Sequence, residues 1–381
     1  MAHQFEGNEY TGRHQPLFVP LQCNGIQLKN RIVMAPMTRE QAPNGIPTDA
    51  MARYYSRRAA GGAGLIITEG SPPNLAGAFG SAVPRLYGAD ALSEWRNVVA
   101  AVHENDSAIM AQIWHVGAFE PSFVGMQDSF DTRLERFSPS GLAGPDRPYG
   151  KVMKQVDIES TIDAYADAAA SAQQVGFDGI EIHAAHGYLL DQFFWGATNQ
   201  RTDRYGGELS DRARFATELI AACRRRCGPA FPISFRFSQW KQLDYGAQIV
   251  ASPKELETLL RPLADAGVTM FHCSTRRFWE PAFAGSERSL AAWTRHLLGL
   301  PVIAVGSVTL GNDFKSEQGK IRAEAAPQQI ELINQCIERG DFDLIAIGRA
   351  LLANSDWAHI VRDGRLDDLK AFEKKMIEQL L

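Results

Sequence analysis

The sequence predicts a single (β/α)8 barrel. Three features carry that expectation: eight short, bounded apolar runs, helical stretches between them, and polar side chains gathered where the runs end. The runs cover 32–36, 65–69, 109–115, 179–183, 233–238, 270–274, 302–306 and 344–349. Their apolarity is continuous rather than alternating, as for parallel strands covered on both sides. An open doubly wound sheet shows the same alternation of strand and helix, so the count of eight and the residues at the strand ends favour closure.

The helical stretches carry matching punctuation. Asp157, Ser210 and Ser252 are expected N-caps, and Gly176, Gly228, Gly267 and Gly340 stand at the C-terminal ends. Before the first run, Asn24-Gly25 between short apolar segments signals a β-hairpin that closes the barrel bottom. Long loops follow the third run (118–152) and the sixth (275–301); both leave strand C-termini, where a barrel places its active site, and are expected to form a lid. The 381 residues are expected to form one domain, with 1–16 a poorly ordered extension.

Composition narrows the function classes. A net charge of −5 gives no general attraction to nucleic acid, and the run Arg224, Arg225, Arg226 lies within a helical pattern as a solvated face. Five scattered cysteines fit a reduced compartment better than a disulfide framework. The polar N-terminus and the lack of a long apolar stretch suggest a cytoplasmic protein; the expected partner is a small-molecule substrate, and the chain is expected to be a monomer or homodimer, a choice that these features do not decide.

The strand ends bring together Thr38, Glu69, Gln112, Trp114, His183, Arg236, Cys273, Gly306 and Arg349, which closure would gather at one mouth. Gly306-Ser307 and Gly348-Arg349 end the last two strands. Glycine admits close approach of backbone N–H groups to an anion and arginine supplies a bidentate partner, at the position where barrels commonly bind phosphate. Tight turns with an ordinary surface arginine are the structural alternative. In Glu181-Ile-His183-Ala-Ala-His186-Gly-Tyr188, two imidazoles and a phenol lie just past the fourth run. A metal site would need a third ligand, and none is evident; a pair of N–H donors polarising a carbonyl oxygen, with Tyr188 as proton donor, accounts for all three.

Seven segments then resemble the Old Yellow Enzyme family of FMN-dependent ene-reductases: 24–39 (NGIQLKNRIVMAPMTR), Thr68-Glu69-Gly70, Gln112-Ile113-Trp114, 181–192 (EIHAAHGYLLDQ), 199–207 (NQRTDRYGG), Phe235-Arg236 and 348–356 (GRALLANSD). The resemblance implies non-covalent FMN reduced by NADPH or NADH. Thr38 would bond the flavin C4 carbonyl and Gln112 the pyrimidine edge. Pro36 and Gly70 would pack near the ring, Arg236 would lie near N1 and O2, and Gly306, Ser307, Gly348 and Arg349 would hold the phosphate. It further implies ping-pong reduction of an activated C=C bond in an enone or nitroalkene, with His183 and His186 binding the oxygen and Tyr188 protonating the α-carbon. Trp114 and Trp279 are the expected substrate-pocket residues.

The loop 274–295 is unlike the best-known members, and the tail after Asp356 lacks the tyrosine and terminal arginine of some relatives. An oxidative dehydrogenase or N-demethylase on the same barrel remains the alternative. Relatives with an iron–sulfur cluster need closely spaced cysteines after the barrel, and Cys336 is the last cysteine. A flavin-free phosphate-binding lyase would want a Schiff-base lysine or metal carboxylates at a strand end, and no lysine is read there.

Overall fold

The computed structural model describes residues 15–120, 130–309 and 326–380. Eight parallel strands close into a barrel: β1 (Ile32–Met34), β2 (Leu65–Ile67), β3 (Ala108–Ile113), β4 (Gly179–His186), β5 (Ile233–Lys241), β6 (Met270–Ser274), β7 (Val302–Val305) and β8 (Leu344–Ile347). Closure is made by β8 on β1, with Ile345 opposite Ile32 and Ile347 opposite Met34. Around it lie α1 (Asp49–Ala60), α2 (Ala89–His103), α3 (Gln155–Val175), α4 (Arg214–Cys227), α5 (Pro253–Ala266), α6 (Leu290–Leu298), α7 (Ala326–Arg339) and α8 (Trp357–Arg362). No helix among the described residues is long and apolar enough to cross a membrane.

Alternation along the strands divides the core in two. Ile32, Met34, Ile66, Ile109 and Ile345 pack outward against the helices, while Val33, Leu65, Ile67, Met110, Met270, Ile303, Leu344 and Ala346 fill the lower barrel. The hairpin Leu21–Cys23/Ile26–Leu28 turns at Asn24 (φ 48) and Gly25 (φ 86), and its Cys23, Ile26 and Leu28 join the inner cluster. It closes the bottom as expected. The apolar floor beneath and the buried polar side chains above, His183 and Arg236 among them, mark the upper end as the candidate site.

Two caps differ from expectation. Ser252 does cap α5, accepting from the Glu255 amide at 3.2 Å. Asp157, however, lies inside the first turn of α3 and accepts from the Lys154 amide at 2.7 Å, while Ser210 falls within a short helix, Leu209–Arg212. Of the N-terminal extension, 1–14 lie outside the described residues. Gln15 is buried, and the Leu17 amide donates to Asn334 on α7 at 3.0 Å, so the chain is packed from that point on.

The loop after β3 carries small sheets: Phe137–Ser138 beside Lys151–Val152, and the hairpin Leu142–Gly144/Arg147–Pro148. Arg136 fastens it to the loop after β2 by donating to the carbonyls of Ala78 and Phe79. Part of the expected lid, 121–129, lies outside the described residues. At the other end of the chain, Arg39 Nη2 donates to the carbonyls of Met376, Ile377 and Gln379 at 3.0, 2.7 and 2.6 Å, which seats the C-terminal segment beside the loop after β1.

Candidate active site at the barrel mouth

β4 supplies the trio. Alternation points Glu181 and His183 into the barrel; the pairing with β5 then shifts register between Ala184 and His186, and the chain turns sharply at His186 (φ 67) and Gly187 (φ 89). The turn swings Tyr188 back over the strand. Ring centroids of His183 and His186 lie 5.1 Å apart, and Tyr188 is 5.1 Å from His183, each pair near perpendicular. Trp114 stands edge-on to Tyr188 at 4.9 Å and stacks loosely on His183 at 6.3 Å, while Phe119 lies 4.8 Å from Tyr188. Three functional groups therefore open into one aromatic box that also includes Phe79 and Phe130.

Burial sets the protonation states. Desolvation, reinforced by the charge of Arg236, lowers His183 to about 3 and His186 well below the imidazole range, so both are neutral at ordinary pH. Burial pushes the Tyr188 phenol above its ordinary value, keeping its proton available for donation. The Ala185 amide donates to His183 Nδ1 at 3.3 Å, which puts that ring's proton on Nε2. For His186, Nε2 lies 2.7 Å from Ser274 Oγ, which itself accepts from Arg236 Nη2 at 3.3 Å. If the Ser274 hydroxyl donates onward, His186 carries its proton on Nδ1.

Below the trio lies a buried polar layer. Glu181 accepts from Gln112 Nε2 (2.9 Å) and Ser234 Oγ (3.0 Å) and pairs with His272 Nδ1 (2.7 Å), all away from solvent. Burial alone would raise this carboxyl, but His272, Arg236 and Gln112 outweigh it and hold Glu181 down at about 2. A fixed anion beneath Arg236 and a fixed orientation for the Gln112 amide follow from this.

The expected cofactor residues converge on the same end. Arg236 is buried, and its Nε has no acceptor among the described residues, a donor left for a ligand. Thr38 and Pro36 lie on the loop after β1, whose Arg39 and Glu40 amides donate to Glu69 at 3.0 and 3.4 Å; burial pushes Glu69 up to about 7. Gly70 lies under Trp114, where a Cβ would stand 2.8 Å from the indole. Gly306 (φ 154) touches the loop after β6 so closely that a Cβ would stand 2.7 Å from the Thr275 carbonyl oxygen. Only glycine serves there, and Ser307 (φ 47) follows in the left-handed region. Gly348 and Arg349 follow β8, the neighbour of β7, so both expected phosphate-binding pairs stand on adjacent strands. A partly satisfied buried cation near the trio and glycine turns after β7 and β8 are a donor set that fits a flavin nucleotide.

Other expectations fare differently. Cys273 faces outward, its Sγ 3.4 Å from Thr294 on α6, because Ser274 takes the inward position next to it. Trp279 stacks edge-on against Phe278 (5.0 Å), which in turn packs on Phe342; it makes no ring contact with the trio. Sequence reasoning missed Trp240, whose ring stacks on His186 at 4.3 Å and whose Nε1 donates to the Ser274 carbonyl at 3.1 Å. It also left His272 unassigned, although Met270, His272 and Ser274 alternate inward on β6.

Comparison with known proteins agrees with this geometry. Residues 16–368 match the NADH:flavin oxidoreductase / NADH oxidase family. The chain is 32% identical to 12-oxophytodienoate reductase 7 of Oryza sativa subsp. japonica (90% of this chain, 87% of that protein) and 33% identical to a chanoclavine-I aldehyde reductase of Penicillium roqueforti (91% and 89%). The structure resembles Old Yellow Enzyme from Pichia sp. AKU4542, with a TM-score of 0.77, 26% identity and coverage of 96% and 90%. It also resembles morphinone reductase in complex with tetrahydroNAD, with a TM-score of 0.76, 25% identity and coverage of 95% and 93%. The chain therefore belongs to the Old Yellow Enzyme family of oxidoreductases, which use FMN and NAD(P)H.

Proposed function

We propose that the whole chain acts as one FMN-binding unit that reduces the activated C=C bond of α,β-unsaturated carbonyl or nitro compounds, the nicotinamide and the acceptor using one pocket in turn. The reading rests chiefly on two neutral imidazoles and a protonated phenol meeting within about 5 Å at the mouth that also holds Arg236. FMN, when bound, would supply the hydride chemistry that links NAD(P)H to the β-carbon of the acceptor.

The chain's own residues do the rest. His183 Nε2–H and His186 Nδ1–H donate to the carbonyl or nitro oxygen and stabilise the negative charge that develops there. This role requires the tautomer in which Ser274 Oγ–H donates to His186 Nε2, so that the ring's proton is on Nδ1. Tyr188 Oη–H gives its proton to the α-carbon, so that one hydride and one proton are added across the double bond, and the phenolate regains its proton from water. Trp114, Phe79 and Phe119 exclude solvent from one side. Thr38, Gln112 and Arg236 would hold the ring, and Gly306, Ser307, Gly348 and Arg349 the phosphate.

The purified protein is expected to be yellow, to bleach with NADPH or NADH under anaerobic conditions, and to recover its colour on adding 2-cyclohexenone. Failure of the enone to restore colour, with recovery on admitting oxygen, would favour an oxidative enzyme instead. Arg349→Ala is expected to raise the FMN dissociation constant about tenfold or more through loss of a charge-assisted pair. Unchanged retention on gel filtration would remove Arg349 from the phosphate site.

A further inference from the structure

We propose that Lys241 is a positioning residue for the chemistry at His186 and Tyr188, acting through Asp191 on the backbone of Gly187. The inference deepens the reading of Tyr188 as proton donor and rests on it.

The turn that aims the trio is strained. His186 is a non-glycine residue at φ 67, followed by Gly187 at φ 89. Such a conformation inside a buried site persists only where its surroundings over-determine it. Here each backbone polar group of the two residues is held. The His186 amide donates to Ser238 Oγ at 3.0 Å and its carbonyl accepts from the Gln242 amide at 3.2 Å. The Gly187 amide donates to Asp191 Oδ2 at 2.6 Å and its carbonyl accepts from Gln192 Nε2 at 2.9 Å.

Of these four anchors, only Asp191 is ionisable. It is wholly buried, and its other oxygen lies 2.9 Å from Lys241 Nζ, also wholly buried; Nζ further donates to the Gln239 carbonyl at 2.7 Å. Burial pushes Asp191 up to about 6 and Lys241 down, so each depends on the other for its charge. An enclosed ion pair is a poor source of net stability, since apolar residues of like volume commonly do as well. Its place explains it better: Lys241 stands opposite His186 in the β4–β5 register, on the far side of the register shift, and β5 runs past Ser238 to reach it. The same extension carries Trp240, stacked on His186, and Gln242, whose Nε2 lies 3.5 Å from Tyr188 Oη.

Two charge-neutral double variants separate positioning from stability: Asp191→Asn with Lys241→Met, and Asp191→Leu with Lys241→Met. Both remove the buried charges, but only the first keeps an oxygen for the Gly187 amide. The leucine version is expected to fold with an equal or higher Tm and to reduce FMN with NADPH at the same rate. Its enone step should be ~10- to 100-fold slower in kcat than in the asparagine version, with faster hydrogen exchange at Gly187 and Tyr188. Equal exchange in the two variants, or equal losses in both half-reactions, would overturn the proposal. Should the leucine version not fold, Lys241→Met alone carries the test: exchange at Gly187 rises, and unchanged exchange overturns it. If the wild-type enzyme reduces no enone, the functional reading fails while the exchange comparison still decides the role of Lys241.

Discussion

Tyr188→Phe is expected to slow the reaction of reduced enzyme with an enone by ~10²- to 10⁴-fold, the span of a lost general acid, while flavin reduction by NAD(P)H stays near the wild-type rate. The substitution removes one oxygen and little else. The ring keeps its edge-on contact with Trp114 at 4.9 Å and its packing on Phe119, and the hydrogen bond surrendered is the long one from Gln242 at 3.5 Å. The fold and KM should therefore change little. Stopped-flow absorbance of the two half-reactions reads the effect, and an equal slowing of both would show that the phenol packs the site without giving a proton.

Glu181→Leu is expected to cost about 3–5 kcal/mol of stability, the scale for removing one partner of a buried ionic network. Gln112, Ser234 and His272 would lose their acceptor at once, and Arg236 its nearby buried anion. The pH dependence has a definite sign. The folded-state value is depressed to about 2 from an ordinary 4.5, so the stabilisation is complete above pH 4.5 and is lost as pH falls towards 2. That contribution is on the order of 3 kcal/mol. Denaturant unfolding of wild type and variant should give stabilities that converge between pH 5 and pH 2. Parallel curves across that range would mean that the carboxylate's charge does not hold the layer.

Most of the barrel was legible because continuous apolar runs identify buried parallel strands without reference to tertiary contacts. Their upper ends were not. β4 runs on to His186 and β5 to Lys241 because Ser, Gln, Trp, His and Lys continue the ladder when strand neighbours exist to pair with, which no local pattern announces. Cys273 was placed at the mouth by position alone, whereas inward alternation from Met270 would have chosen His272 and Ser274. The Glu181–His272 contact joins residues 91 apart in sequence, and the stack of Trp240 on His186 depends on the register shift between β4 and β5. His183, His186 and Tyr188 were found together because they share one short segment, while Lys241, which supports them, sits on the next strand.

The grip of Arg39 on the carbonyls of Met376, Ile377 and Gln379 ties that segment to the loop after β1. One residue separates that guanidinium from Met37, with Thr38 between. Removing residues 376–379 would strip acceptors from an enclosed cation and loosen the loop that carries Thr38, so a segment remote in sequence acts as a brace for that loop.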